Sequence, residues 1–316
     1  MAEGTHVVLG SGPVGSWIAR SLSRRGAQVR VANRSGARNP LLPADVPVLA
    51  VDVSDTDAAI RAAEGATVVY QALNPAYHLW HEQFPGLQSG ALAAARATGA
   101  RYVSIDNLYM YEAAAGPISE STAIAPVSRK GELRARMAEE VLAADRSGDV
   151  RVAVLRSSDY YGPGVTGSAL GERSFGPLLA GKKAEVLGGL DTPHSFAYIE
   201  DVGAAAAELG CNDAALGRVW IAPHVTAPTQ REVYERVFGL LGREPQYSVV
   251  RPWMMRTFGM FNPGAREMVE MMYEFTEPFT VDCSAIEREL GLSATPLAEG
   301  LARTLDWYRT HEAVAA

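Results

Sequence analysis

The sequence predicts an α/β protein with a doubly wound parallel sheet and a smaller, mixed C-terminal lobe. Two observations lead to this prediction. Short apolar segments rich in β-branched residues alternate with amphipathic helical segments over the first 160 residues, and a glycine-rich turn joins the first strand to the first helix. Repeated βα units bury a parallel sheet between two layers of helices. Beyond residue 160 the alternation becomes irregular, which is typical of a separate lobe.

The predicted elements follow one another in regular order. The strands are 6–9, 28–32, 46–51, 66–71, 101–105 and 150–155, and the helices are 17–25, 57–63, 86–98 and 130–144. A helix at 201–209 and a strand at 218–221 are expected to return to the sheet. We therefore predict a sheet domain over 1–160 that also includes 197–222, and a substrate-binding lobe built from 161–196 and 223–316.

Composition excludes several classes of protein. The 316 residues are 47% hydrophobic and 21% charged, which argues against disorder. A net charge of −7 does not favour binding to nucleic acid or to an anionic membrane. Two cysteines are too few for a disulfide framework, and no signal-peptide pattern or bilayer-length apolar run is present. We expect a reduced, cytoplasmic protein that acts on a small molecule.

The glycine-rich turn has the spacing Gly-x-Gly-x-x-Gly between a strand and a helix. The first glycine allows a tight turn, the second lets the backbone approach a pyrophosphate, and the third permits close packing of helix and strand. This context predicts a Rossmann-like dinucleotide site. Its candidate residues are Gly10, Ser11, Gly12, Pro13, Val14 and Gly15.

The end of the second strand indicates which dinucleotide binds. An NAD site usually has an acidic residue here, whereas this chain has Asn33, Arg34 and Ser35. The Arg34 guanidinium suits a 2′-phosphate, with Ser35 and Arg38 as helpers. We therefore predict that NADP(H) is preferred over NAD(H). The alternative is that Arg34 is a solvated loop residue and NAD binds.

Two further segments complete the predicted cofactor site. Asp52 and Val53 follow the third strand, and the Asp52 carboxylate either accepts from the adenine amino group or caps the next helix. The fourth strand is followed by Ala72, Leu73 and Asn74, at the sheet edge where ligands bind in open α/β sheets.

Motifs follow one another at the glycine turn, 155–164, 196–202, 281–282 and 296–308. In this order they resemble those of the extended short-chain dehydrogenase/reductase family, of the NAD-dependent epimerase/dehydratase type. The glycine spacing departs from the GxxGxxG usual in extended members. The resemblance implies an NAD(P)-dependent enzyme, an oxidoreductase or epimerase, and a homodimer. Helices 86–98 and 130–144 would form the dimer bundle, and Leu133, Met137, Val141 and Leu142 exceed the needs of one buried stripe.

The resemblance also implies a catalytic Tyr-x-x-x-Lys pair, and the chain contains none. Aligned on the family pattern, Lys130 takes the tyrosine position and Arg134 the lysine position, while Asn107 stands where Ser or Thr is expected. Lys130 is then a candidate proton donor and Asn107 a hydrogen-bonding partner of the substrate oxygen, with the phenols of Tyr109 and Tyr111 nearby. The alternative is that Lys130 and Arg134 form a solvated helix face.

Substrate residues are expected at the carboxyl ends of the strands. Tyr77, His78 and Trp80 follow the fourth strand, Tyr161 lies in the 155–164 motif, and His194 stands where nucleotide-sugar enzymes of the family carry arginine. That replacement makes a nucleotide sugar less favoured. Six of nine methionines fall between 254 and 272, as pocket wall, lid or core. His78, His81 and Glu82 lack a fourth ligand, so no metal is predicted.

Three functions remain open at this stage. The first is an NADP(H)-dependent oxidoreductase acting on a carbonyl or alcohol of a small, fairly apolar metabolite. The second is an epimerase or dehydratase with bound NAD(P) and a sugar or other small-molecule substrate. The third is a non-catalytic NADP(H)-binding sensor, because the Tyr-x-x-x-Lys pair is missing.

Overall fold

The computed structural model describes residues 4–112, 116–261 and 263–315. The chain divides into two compact units. The sheet unit comprises Met1–Met110, Lys130–Arg156 and Val202–Ala222, and the second unit comprises Tyr111–Arg129, Ser157–Asp201 and Pro223–Ala316.

The described residues form strands and helices in the following order. The strands are β1 (Thr5–Leu9), β2 (Gln28–Asn33), β3 (Val48–Ala50), β4 (Ala66–Gln71), β5 (Arg101–Asp106), β6 (Val152–Arg156), β7 (Asp159–Tyr161), β8 (Ala184–Leu187), β9 (Phe196–Tyr198), β10 (Arg218–Ile221) and β11 (Tyr247–Val250). The helices are α1 (Pro13–Arg24), α2 (Thr56–Ala62), α3 (Trp80–Thr98), α4 (Arg129–Arg146), α5 (Glu172–Leu179), α6 (Ile199–Cys211), α7 (Gln230–Leu240), α8 (Pro252–Gly259), α9 (Pro263–Val269), α10 (Tyr273–Thr276), α11 (Ser284–Leu290) and α12 (Leu297–Ala315).

The sheet unit contains a seven-stranded parallel sheet, which confirms the predicted fold class. The strand order is β10-β6-β5-β4-β1-β2-β3. The order reverses between β1 and β4, and ligands of doubly wound folds bind at the carboxyl ends of the strands at such a point. The glycine turn follows β1 and the 72–74 segment follows β4, so both lie at this position.

Small residues let helices pack closely on the sheet unit's strands. One core cluster joins strand residues such as Val7 and Val69 to α3 alanines such as Ala91 and Ala95. Elsewhere α6 meets α1 so closely that a Cβ on Gly203 would lie 2.6 Å from Trp17 atoms.

Two helices begin earlier than the sequence predicts. Helix α1 starts at Pro13 rather than residue 17, because proline fits the first helical position, where its missing N–H costs no hydrogen bond. Helix α3 starts at Trp80 rather than residue 86, with Pro85 inside it. Pro85 and Gly86 indicate a boundary in sequence, but Trp80 and Phe84 lie one turn apart and are both buried. Their burial offsets the hydrogen bond that proline removes.

The second unit has its own apolar core. Two parallel strand pairs, β7 with β9 and β8 with β11, contribute to it. Helix α7 opens with a complete capping box between Thr229 and Glu232. In the methionine-rich segment, Met255 and Met272 are buried beside Val250. Of the three roles predicted for the methionines, these two therefore have the role of core residues. No helix among the described residues has the length and apolar character to cross a bilayer.

His6 on β1 is a buried histidine that links stability to pH. Its Nδ1 lies 3.0 Å from the Tyr70 hydroxyl, and burial, aided by the charge of Arg101, lowers the pKa of His6 from 6.5 to about 4. Between pH 6.5 and pH 4, His6 is therefore protonated in the unfolded chain and neutral in the folded chain. We expect His6 to lower the free energy of unfolding by about 2.5 kcal/mol as the pH drops from 6.5 to 4.

The variant His6→Gln keeps a hydrogen-bond acceptor for Tyr70 but does not titrate. Its unfolding free energy in urea should depend less on pH over this window than that of the wild type. The exposed His311→Gln serves as the matched control and should follow the wild type. Identical pH slopes for wild type and His6→Gln would contradict the prediction.

Candidate functional site

The three glycines of the turn are required for different physical reasons. Gly10 has φ +106°, and a Cβ there would lie 2.4 Å from the Ala72 carbonyl oxygen. A Cβ on Gly15 would lie 1.9 Å from the Gly10 carbonyl oxygen, whereas a Cβ on Gly12 would meet no atom within 4 Å. The fold itself therefore requires Gly10 and Gly15, while Gly12 faces open space at the N-terminus of α1. That space and the positive helix end fit a dinucleotide pyrophosphate.

Two asparagines hold Ser11, one at the end of β2 and one in the loop between β2 and β3. The Asn33 side-chain amide donates to the Ser11 hydroxyl at 2.7 Å, and the Asn39 amide donates to the Ser11 carbonyl at 2.8 Å. Asn33 Oδ1 also accepts from the Gly36 backbone at 2.6 Å. Asn33 thus fixes the glycine turn relative to the β2–β3 loop.

The two arginines after β2 have different environments. Arg34 is exposed, so its guanidinium is accessible to a ligand. Arg38 donates to the carbonyl oxygens of Val46, at 2.8 Å, and Pro43. The expectation that Arg38 assists a 2′-phosphate is therefore not supported, because its guanidinium holds its own loop. Ser35 hydrogen-bonds Asn33 Oδ1 at 3.3 Å.

Asp52 does not cap α2, so that interpretation is wrong. Asp55 is the N-cap residue and accepts from the Ala58 backbone at 3.1 Å. Asp52 instead accepts from the Ser54 hydroxyl and backbone, at 2.6 and 3.0 Å, and these bonds hold its pKa below the ordinary value. Its carboxylate stays ionised and can accept from an adenine amino group. The neighbouring Val53 is buried, with its carbonyl against Gly90 of α3.

The segment after β4 completes this side of the site. The Ala72 backbone donates to the Leu9 carbonyl at 2.9 Å, and the Gly10 backbone donates to the Ala32 carbonyl at 2.8 Å. These bonds join the ends of β1, β2 and β4. Leu73 packs partly buried against the core, and Asn74 is exposed.

Lys130 at the start of α4 is buried, with 1% of its surface exposed. Its Nζ lies 4.4 Å from the centre of the Tyr77 ring, a cation–π contact. Arg134, one turn further along α4, is 4% exposed. A solvated helix face is therefore wrong for both residues.

The Arg134 guanidinium is bound to Asp106 at the end of β5. Its Nε donates to Asp106 Oδ1 at 3.0 Å, and its Nη2 donates to the same oxygen. The guanidinium carbon of Arg134 also lies over the Phe84 ring, 4.5 Å from the ring centre. The structure therefore gives Arg134 a carboxylate partner that the alignment with the family's lysine did not predict. Sequence reasoning missed Asp106, although a carboxylate ending an apolar strand signals a buried partner cation.

Aromatic rings surround the two cations in the sheet unit. Trp80 contacts Tyr77 edge-on at 5.0 Å between ring centres, contacts Phe84 at 5.2 Å, and stacks on Tyr109 at 5.7 Å. We call Tyr77, Trp80, Phe84 and Tyr109 the aromatic cluster. Three of the residues predicted for substrate or catalysis, Tyr77, Trp80 and Tyr109, thus come together with Lys130.

The remaining predicted residues are placed as follows. Asn107 is half-buried, and its Oδ1 accepts from the Tyr109 backbone at 3.3 Å. His78 is exposed. Tyr111 is buried and belongs to the second unit.

Tyr161 and His194 lie in the core of the second unit. Tyr161 is 1% exposed and packs against the Tyr198 ring, and burial raises its pKa. His194 is also 1% exposed and stacks on Phe275 at 4.8 Å. The Nδ1 of His194 lies 2.9 Å from the Glu274 carbonyl, and its Nε2 lies 3.1 Å from Asp159 Oδ2. These contacts favour packing roles over contact with substrate.

Comparison with known proteins identifies the class. Residues 7–215 match the NAD dependent epimerase/dehydratase family, and the chain belongs to this family. This confirms the resemblance predicted from the sequence and supports an enzyme that uses a nicotinamide dinucleotide.

Individual relatives add detail. The chain is 30% identical over 247 residues to the 2'-dehydrokanamycin reductase of Streptomyces kanamyceticus, a match that covers 74% of this chain and 65% of that protein. Among solved structures, the dTDP-glucose 4,6-dehydratase of Streptomyces venezuelae with NAD has a TM-score of 0.79 at 20% identity, covering 98% of each chain. The UDP-glucuronic acid 4-epimerase of Bacillus cereus, with UDP-glucuronic acid and NAD, has a TM-score of 0.77 at 16% identity and covers 97% of this chain and 99% of its own. These two structures show the fold.

Proposed function

We propose that the protein is an NADP(H)-dependent reductase of a carbonyl group on a small, fairly apolar metabolite. The observation that carries the proposal is the buried ammonium of Lys130, held against Tyr77 in the aromatic cluster. On the alignment with the family pattern, it would supply a cation at the position of the family's catalytic tyrosine. The 30% identical relative, named as a reductase of 2'-dehydrokanamycin, supports reduction as the direction of the reaction.

Each residue has a role in this proposal. The pyrophosphate would be held by the glycine turn, which consists of Gly10, Ser11, Gly12, Pro13, Val14 and Gly15. The adenosine ribose would be bound by Arg34 with Asn33 and Ser35, and the adenine by Asp52 with Val53. The rest of the dinucleotide would contact Ala72, Leu73 and Asn74. When bound, the dinucleotide supplies the hydride. Lys130 Nζ donates a proton to the substrate oxygen, and Asn107 hydrogen-bonds that oxygen. The aromatic cluster would bind the apolar part of the substrate, and the exposed His78, next to Tyr77 in the sequence, would contact its polar part.

The test is a turnover screen with NADPH and a panel of ketones that includes cyclohexanone, which is apolar, and 2'-dehydrokanamycin, which is a polar aminoglycoside. Turnover of 2'-dehydrokanamycin alone would support a reductase but contradict a fairly apolar substrate. Stoichiometric loss of NADPH absorbance with formation of the alcohol is expected. A rearranged or dehydrated sugar formed without net NADPH consumption would instead identify the epimerase or dehydratase function. Tight NADPH binding without turnover of any compound would identify a sensor.

We also propose that NADP(H) is preferred over NAD(H), because Arg34 is exposed where an NAD site has an acidic residue. Removing charge-assisted hydrogen bonds to a 2′-phosphate costs about 10- to 100-fold in affinity. Arg34→Ala should therefore weaken NADPH by this factor and leave NADH nearly unchanged, as measured by nicotinamide fluorescence. Equal affinities of the wild type for both cofactors would contradict the preference.

A homodimer through α3 and α4 and a cytoplasmic location are further proposals. One argument for the dimer fails, because Leu133 and Met137 are buried in the aromatic cluster's own core and Val141 in the sheet unit. The family resemblance alone therefore supports the dimer. Light scattering at micromolar concentration should give twice the chain mass, and the mass of one chain would contradict it.

A further inference from the structure

The end of β5 carries a buried charge cluster that the proposed mechanism does not use. Asp106 is 4% exposed and accepts through Oδ1 from the Arg134 guanidinium. Arg156, its cross-strand partner on β6, has its Nε 3.5 Å from Asp106 Oδ2. Two guanidinium groups from different elements thus bracket one carboxylate. Because leaving any buried charge uncompensated is costly, this arrangement holds the side chain of Asp106 in one position.

The same carboxylate fixes the next residue. Asp106 Oδ1 accepts from the backbone N–H of Asn107 at 2.9 Å, as well as from Arg134. The peptide that leads into Asn107 is therefore anchored to helix α4 through the Asp106–Arg134 pair. Since α4 also carries Lys130, one turn before Arg134, the pair sets the position of Asn107 relative to Lys130.

The orientation of the Asn107 amide follows from donor and acceptor chemistry. A backbone N–H can only donate, so the atom of Asn107 that faces the Tyr109 N–H at 3.3 Å must be Oδ1. The Nδ2 group then points away from this turn. Among the described residues no group accepts a hydrogen bond from Asn107 Nδ2, so its two N–H donors are available to a ligand.

We infer that Asp106 is a positioning residue that holds Asn107 as a hydrogen-bond donor to the carbonyl oxygen of the substrate. The inference rests on the proposed function and makes it more specific. An amide N–H₂ recognises an acceptor oxygen, as in a ketone or aldehyde, and stabilises the negative charge that grows on it as hydride reaches the carbon. Asp106 contributes through Asn107, and Arg134 serves as the anchor.

The first test separates positioning from mere stability. The double variant Asp106→Ala, Arg134→Met removes one negative and one positive charge together, so the net charge of the cluster is unchanged. Arg156 loses its contact with the Asp106 carboxylate, so thermal unfolding must first show that the variant is folded. We expect the turnover number for the active ketone to fall ~10²-fold, as for small misplacements of a catalytic group, with NADPH affinity unchanged. Adding Asn107→Ala to this double variant should cause no further loss, because both changes remove the same interaction. Additive losses, or full turnover in the double variant once it is folded, would overturn the inference.

The second test asks whether the Asn107 side chain acts as a hydrogen-bond donor to the substrate oxygen. Asn107→Asp places a carboxylate against the substrate oxygen, so at about pH 7 it should bind the ketone more weakly than Asn107→Ala does. Ketone affinity is measured by calorimetry. If Asn107→Asp instead binds ketone as well as the wild type, Asn107 does not act as the donor.

A third measurement needs no substrate and so distinguishes this inference from the proposed function. In ¹⁵N-labelled protein the side-chain amide resonances of Asn107 should be resolved in the wild type. In Asp106→Ala with Arg134→Met they should move toward the values of a solvent-averaged amide. The matched control Asp201→Asn changes a carboxylate bound to Thr295 in the second unit and should leave them in place. If the Asn107 resonances move as expected but the wild type turns over no ketone, the proposed reductase function is refuted and the positioning role stands. If the Asn107 resonances do not move in the double variant, the positioning role is refuted.

Discussion

Replacing Lys130 with methionine is expected to lower the turnover number of ketone reduction by ~10²–10⁴-fold, the usual contribution of a positioned proton donor. Methionine keeps most of the side-chain length and packs in an apolar environment, so it removes the ammonium with little change in volume. The loss should appear in turnover rather than in NADPH affinity, since the residues proposed to hold the cofactor lie elsewhere in the sheet unit.

The chain provides matched controls for this experiment. Lys182 and Lys183 are exposed in the second unit, and Lys182→Met and Lys183→Met should retain full turnover and stability. Lys130→Met should also lower the free energy of unfolding, because the contact of Lys130 Nζ with the Tyr77 ring is lost. Desolvated cation–π contacts contribute about 2 kcal/mol. Thermal unfolding measures this change separately. If folded Lys130→Met keeps wild-type turnover, the proton comes from another group, and Tyr109→Phe becomes the next variant to test.

The sheet and the cofactor side of the site were predictable because their signals are local. The strand that ends at Leu9, the turn from Gly10 to Gly15 and the helix that follows are adjacent in sequence. Their apolar periodicity and glycine spacing therefore determine both the structure and its position at the sheet edge. Asp52 was harder, because two carboxylates three residues apart both suit a helix cap, and only Asp55 lies at the capping position.

The charged part of the candidate site depends on contacts between distant residues. Arg134 lies 28 residues beyond Asp106, and no local pattern links them. Alignment to the family pattern placed Arg134 at the lysine position, one turn from Lys130, but the sequence could not indicate that a strand-end carboxylate binds its guanidinium. The start of α3 at Trp80 also escaped prediction, because burial of Trp80 and Phe84 outweighs the local effect of Pro85. In each of these cases, contacts between residues from different elements determine the structure, and local sequence patterns do not show them.

The glycine turn allows a test of the cofactor site that is independent of catalysis. Since a Cβ on Gly12 meets no protein atom within 4 Å, Gly12→Ala should fold with wild-type stability. The added methyl group would occupy the space through which a pyrophosphate approaches the backbone. We expect NADPH affinity to fall about 10- to 100-fold, the equivalent of losing a hydrogen bond to a charged group.

Two comparison variants make the Gly12→Ala result specific. Gly15→Ala places a Cβ 1.9 Å from the Gly10 carbonyl oxygen, so it should lower the thermal midpoint as well as NADPH affinity. Gly86→Ala on α3 meets only an ordinary contact, with Ser54 at 3.9 Å, and should change neither. Gly12→Ala is thus expected to be the variant that weakens NADPH without affecting unfolding. If Gly12→Ala binds NADPH as tightly as the wild type, the dinucleotide does not approach the turn at Gly12. If it unfolds like Gly15→Ala, the open space beside Gly12 is needed by the fold rather than by a ligand.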